Sequence, residues 1–141
     1  MNIITKKRKT GNLGEDIACR FLMKRGFDII ERNYLKKCGE IDIIAIKAGK
    51  IHFIEVKSVS SETLGNVSLA GQADETNGNS TFRPEDNIHS WKLQRIAKTI
   101  QIYLQEKDVS GETGWLFDVI TVYIDKKRRI SKVYMLENVI L

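Results

Sequence analysis

Apolar positions recur along the chain at two periods. Between Asn12 and Phe27, Leu13, Ile17 and Phe21, with Gly14, Ala18 and Leu22, form a broad stripe at helical spacing, and Gly26 marks its end. "FDIIERNYL" reads as a strand with imperfect alternation, while "EIDIIAIK" and "KIHFIEVK" alternate more clearly on either side of Ala48-Gly49. Those two runs predict a hairpin. A second helical stripe, Leu93, Ile96, Ala97, Ile100, Tyr103 and Leu104, runs through "SWKLQRIAKTIQIYLQEK", with Ser90 as the candidate N-cap. "WLFDVITVYID" then places Leu116, Asp118, Ile120, Val122 and Ile124 on one side of a strand, and "ISKVYMLENVIL" reads as an edge strand with an irregular tail. The order α-β-β-β-α-β, with one further short strand, predicts an α/β fold in which helices flank a mixed sheet.

The 141 residues suit one compact domain. Residues 1–10 read as a basic N-terminal arm, and residues 11–141 as a single domain with a polar insertion around 58–87. Lys and Arg number 23 against 18 Asp and Glu, a formal charge of +5. The stretch from Ser60 to Asn87 is net −4, which leaves about +9 on the rest. Such a basic body suits a polyanionic partner, because phosphate backbones release counterions to Lys and Arg. It also suits an ordinary basic surface. Cys19 and Cys38 match no zinc spacing or disulfide framework, which points to a reducing, cytoplasmic setting. No apolar run reaches the roughly 20 residues that span a bilayer, so no membrane association is expected.

The hairpin carries the odd charges. If Lys47 pairs with Lys50, Ile46 faces Ile51, Ile44 faces Phe53 and Asp42 faces Glu55; one step further, Glu40 faces Lys57. A longer loop closed by Ile46 and Ile51 keeps the same register. Glu55 and Lys57 share a face of their strand. Two adjacent carboxylates repel, so one acquires a raised pKa unless a cation joins them. Hard oxygen donors of this kind suit Mg2+ or Mn2+. The Val56 carbonyl and Glu15, at the edge of the first helical stripe, can add ligands, and Lys57 can orient a water or neutralise charge on a phosphate oxygen. The competing reading is a surface ion-pair ladder at a hairpin end. Apolar neighbours on both faces weigh against it.

"GNLGEDIACRFL", "NYLKKCGEIDIIAI", "FIEVKS" and the later "FDVITV" resemble the bacterial YraN family (UPF0102), from Gly11 to the strand around Asp118. The resemblance implies the restriction-endonuclease-like fold, similar to archaeal Holliday-junction resolvases and other nucleases with an acid followed by E-x-K. It assigns the motif acid to Asp42, the E-x-K pair to Glu55 and Lys57, and the helix acid to Glu15. Val59 stands where relatives commonly carry a basic residue, so that phosphate contact is either absent or supplied by Arg83 or Lys92.

Other residues invite two readings each. Gly39 suits a sharp turn into its strand, and Glu40 can hold Lys57 or pair with it at the surface. Lys92 and Arg95 share a helix face suited to gripping phosphate, although solvated charges are the default there. His52 points away from the acids, and Asp118, on an apolar side, calls for a buried partner. The expected function is a Mg2+- or Mn2+-dependent nuclease acting on DNA, including branched or single-stranded forms. The alternative is a non-catalytic nucleic-acid-binding accessory protein in DNA processing. A homodimer is compatible with the junction-cutting resemblance.

Overall fold

The hairpin around Ala48-Gly49 closes by the shorter of its two expected turns. Lys47 pairs with Lys50, and both residues between them have positive φ, 51° at Ala48 and 75° at Gly49. Left-handed residues at both turn positions match the twist of the flanking strands. The structure, a computed structural model, describes residues 6–60 and 90–141. Its elements are α1 (Lys6–Lys24), β1 (Asp28–Lys36), β2 (Gly39–Lys47), β3 (Lys50–Ser60), α2 (Ser90–Glu106), β4 (Trp115–Asp125) and β5 (Ile130–Leu136). The first helix thus begins before the stripe that predicts it. β3 also runs on through Ser58, Val59 and Ser60, which pair with β4, so the start of the expected polar stretch is strand.

The strands form one open sheet in the order β1-β2-β3-β4-β5. β1, β2 and β3 make an antiparallel meander, β4 lies parallel to β3, and β5 is antiparallel to β4. Because β3 and β4 are parallel, the chain must cross a face of the sheet between them. α1 packs on one face, with Ala18 and Leu22 among Ile43, Ala45, Ile54, Ile120 and Val122. On the other, Ile96, Ile100 and Tyr103 of α2 pack among Ile41, Ile44, Phe53, Phe117 and Val119. An open mixed sheet covered in this order is the restriction-endonuclease-like fold. Leu13, expected in the buried stripe of α1, is instead 38% exposed.

Two glycines let the helices approach the sheet. A Cβ on Gly14 would lie 1.7 Å from Ser58 Oγ and 2.8 Å from Ser58 Cβ, so α1 crosses β3 there with no room for a side chain. A Cβ on Gly39 would lie 2.9 Å from Thr99 Oγ1 and 3.4 Å from the Arg95 carbonyl oxygen of α2. Gly39 was expected to serve a sharp turn. Among the described residues the positive-φ glycines are Gly26 and Gly49, and Gly39 is required for close helix packing instead.

Asp118 finds the buried partner its position calls for. It is fully buried on β4, its Oδ2 lies 2.6 Å from His52 Nδ1, and its Oδ1 accepts a bond from the Asn138 amide. His52 also meets the Phe27 ring edge-on. The Val139 amide donates to the Phe117 carbonyl, so the tail after β5 is tied back to β4.

In an open helix position, Gly→Ala stabilises by about 0.5–1 kcal/mol. At Gly14 the clash with Ser58 reverses the sign, and Gly14→Ala is expected to destabilise by about 1–3 kcal/mol, the usual range for overpacking. Ser58→Gly removes both colliding atoms and leaves Cα at 3.8 Å. Urea denaturation of the two single variants and the double variant should therefore give a favourable coupling between the substitutions. Additive losses would show that α1 does not seat on Ser58.

Candidate functional site

The β2–β3 ladder runs from Lys47/Lys50 to Ile43/Ile54. Beyond that point the Val56 amide donates to Asp42 Oδ2 at 2.8 Å. The carboxyl takes the place of a main-chain acceptor, so the strands can part without stranding a buried N–H. Strict alternation in β2 also breaks here: Ile43 and Ala45 join the core under α1, whereas Ile41 and Ile44 join the core under α2. On the neighbouring β1, Asn33 has φ 54°. Asp42 therefore sits at an irregularity, its carboxyl aimed at the next strand.

Glu55 is buried, and it lies near enough to Asp42 for its charge to act on that carboxyl. Burial, then the charge of Glu55, pushes the Asp42 carboxyl up to about 8, although the Val56 amide opposes the shift. Glu15 approaches from α1, placed by the Gly14 contact, and its charge also raises Asp42. Glu15 Oε1 is buried with no hydrogen-bond partner; Arg32, at 3.6 Å, is near enough for an ion pair but too far for a hydrogen bond. The same guanidinium bonds Asp16 at 2.9 Å. Burial is the main reason the Glu15 carboxyl is raised, with Arg32 opposing and Glu40 adding to it.

Asp42, Glu55 and Glu15 thus gather where β2 and β3 part. Lys57 follows Glu55 along β3 and is exposed, with no ion pair among the described residues. Asp42 meets Glu55 through its side chain rather than as a ladder pair, and Glu40 pairs with Leu35 of β1. Arg95 donates to the Cys38 carbonyl at 2.7 Å and lies over the Trp91 ring, bracing the β1–β2 turn against α2. Arg83 lies outside the described residues. His52 and Asp118 form their own buried pair.

Two contacts at the site escape the sequence pattern. Lys92 Nζ bonds Glu55 Oε1 at 2.6 Å across 37 residues of chain, and Arg32 reaches Glu15 and Asp16 from β1. Both contacts arise from the sheet–helix stacking, which local periodicity does not encode. Lys92 was singled out for phosphate rather than for Glu55; the signal for the pairing is its place in the first turn of a helix, where a cation opposes the helix dipole and needs an anion nearby.

Among the described residues, no three His, Cys, Asp or Glu side chains converge as a metal-ligating group. The donor chemistry nevertheless fits a hard cation. Mg2+ keeps several waters and commonly uses one or two carboxylates, and here two acids adjoin, with a third whose Oε1 accepts no hydrogen bond among the described residues. Asp42 and Glu55 would be the residues to hold such an ion.

Asp42 makes stability depend on pH. Its folded value, about 8, lies above the ordinary carboxylate value of 3.8, so the folded state binds the extra proton between them. Its contribution is full below that ordinary value and is lost as pH rises through the folded value. In chelator, the denaturation midpoint of the native protein is expected to fall between pH 5 and pH 8.5 more steeply than that of Asp42→Asn. Mn2+ should raise the melting temperature more at pH 8 than at pH 5, since it competes with that proton. Parallel pH profiles for the two proteins would remove Asp42 as the source.

Sequence comparison gives the chain its relatives. A family model described as "Uncharacterised protein family UPF0102" matches residues 14–122, a span that includes Gly14, Glu15, Asp42, Glu55 and Lys57. The chain is 36% identical over 134 residues to a UPF0102 protein of Helicobacter pylori strain HPAG1, covering 95% of this chain and 93% of the relative. It is 30% identical over 132 residues to a UPF0102 protein of Moorella thermoacetica, covering 94% and 95%. A Campylobacter jejuni UPF0102 protein is 37% identical over 102 residues, or 72% and 74% of the two chains. With the matched span covering most of the domain and relatives similar along nearly their whole length, the chain belongs to the UPF0102 family.

Proposed function

We propose that this protein is a divalent-metal-dependent nuclease that hydrolyses DNA phosphodiester bonds, with branched and single-stranded structures among its candidate substrates. The observation that carries this reading is the adjacency of Asp42 and Glu55 at the parting strands, where burial raises the Asp42 carboxyl to about 8. Paired buried acids of this kind are costly unless a proton or a cation joins them. Mg2+ or Mn2+ bound there would supply Lewis-acid stabilisation of the phosphoryl group and a more acidic water.

The chain's own residues supply the rest. Asp42 and Glu55 fix the cation's position, and the Val56 amide holds Asp42 in place. Lys57, exposed on the same strand as Glu55, is the residue whose ammonium would neutralise charge on a phosphoryl oxygen or orient the attacking water. The formal charge of +5 favours a polyanionic substrate. The sequence contains no evident base-reading element, which favours recognition through backbone and shape.

The Lys92–Glu55 pair favours a second reading, in which the fold binds nucleic acid without cutting it. A lysine already neutralises one acid of the pair without a metal.

Purified protein incubated with labelled branched, flapped and linear DNA in Mg2+ or Mn2+ separates the two. Cleavage is expected to need the cation and to fall on the order of 10²–10³-fold in Glu55→Gln, the scale seen when one electrostatic group is removed from a catalytic site. DNA binding should survive in that variant. If the native protein binds DNA in a salt-sensitive way and cuts none of these substrates, the binding reading replaces the nuclease.

A further inference from the structure

The Lys92–Glu55 pair joins groups of unequal freedom. Glu55 is held by β3, and its side chain is only 11% exposed. Lys92 is 43% exposed and lies in the first turn of α2, directly after the 61–89 stretch. Its Nζ bonds Glu55 Oε1 at 2.6 Å. If the pair opens, the lysine moves, because the carboxylate is fixed by its strand while the ammonium ends a flexible stem that already reaches solvent.

The bond engages one of the two Glu55 oxygens, and an ammonium on that carboxylate repels a second cation at the same group. Taking the partner away from a buried carboxylate is strongly unfavourable, so Lys92 cannot leave without a replacement cation. At the start of α2 the ammonium gains nothing from the helix dipole, whose positive end opposes it. Glu55 is therefore the principal group holding the amine at this position.

We infer that Lys92 is a resident counter-cation of the carboxylate site, which a divalent metal displaces from Glu55, freeing the ammonium to meet the phosphate backbone of the substrate. This rests on the nuclease reading for the metal, and it adds an exchange step that the reading does not require. No covalent bond changes: one cation replaces another on Glu55. Between substrates the lysine keeps the acid compensated, and metal loading and release of the amine become a single event.

Two measurements test the exchange without relying on cleavage. In calorimetric titration with Mn2+, Lys92→Met is expected to bind on the order of tenfold more tightly than the native protein, since no ion pair must first open. Lys98→Met, which removes an exposed charge further along the same helix, should stay within about twofold of native, a change near 0.4 kcal/mol. That control separates competition at Glu55 from a general change in charge.

The second measurement is reductive methylation followed by mass spectrometry. Mn2+ is expected to raise the modification rate of Lys92 several-fold while Lys98 stays constant. In Glu55→Gln, Lys92 should react quickly with or without Mn2+. Equal Mn2+ affinity in native protein and Lys92→Met, or a Lys92 that stays protected with Mn2+ bound, overturns the exchange, even where metal-dependent cleavage persists and the nuclease reading stands. Mn2+ binding to neither the native protein nor Lys92→Met overturns both. Binding to Lys92→Met alone supports the exchange in its strongest form.

Discussion

A main-chain amide, Val56, bonds to the side chain of Asp42 where a strand would ordinarily bond to its neighbour. The site depends on that substitution. A hairpin zipped to its end would have used the amide in the ladder, and Asp42 would have been one more residue beside Glu55. A buried amide left without an acceptor would cost about 1–3 kcal/mol. With Asp42 as acceptor, β2 and β3 part without that cost. One carboxylate is then fixed by backbone geometry next to a second, under enough burial to raise its pKa.

Two glycines bring the helices to the same end of the sheet. Gly14 sets α1 against Ser58, three residues beyond Glu55, and so delivers Glu15 from one face. Gly39 opens the β2 side to α2, whose first turn delivers Lys92 from the other. Each glycine is needed for the absence of a Cβ rather than for an unusual φ. The G-E pairs at 14–15 and 39–40 thus put the space-making residue beside a charged one. Glu15 joins the acids, and Glu40 acts on Glu15 through its charge rather than on Lys57 through the ladder.

How far the sequence could be read divides along physical lines. Helix stripes and strand alternation are local, and they foretold the element order, the hairpin register from Lys47 to Ile43 and an inward Asp118 that needed a partner. The register failed to extend to Asp42 and Glu40 because a ladder ends where a side chain outcompetes the main chain, and no periodicity marks that point. Leu13 was placed in the core by its spacing alone, yet α1 turns it to the surface. The Arg95 bond to Cys38, the Lys92 bond to Glu55 and the Arg32 contacts with Glu15 and Asp16 all cross between layers. Such contacts depend on how helices stack on a sheet, which a single chain's pattern leaves unspecified.

The sign of the charge at the strand ends bears on what kind of polyanion-handling protein this is. A module that only grips a phosphate backbone gains affinity from each lysine at its contact surface and loses it with each acid there. This molecule carries an overall charge of +5, yet it gathers Glu15, Asp42 and Glu55 at one end of its central sheet. Arg32 and Lys92 offset part of that charge, and Asp42 retains a proton up to about pH 8. Burying acids so that a proton and two long cations must neutralise them is a poor way to hold DNA. It is a suitable way to keep hard oxygen donors ready for a divalent ion in a molecule of net positive charge, and on that ground the proposed nuclease reading is preferred to binding alone.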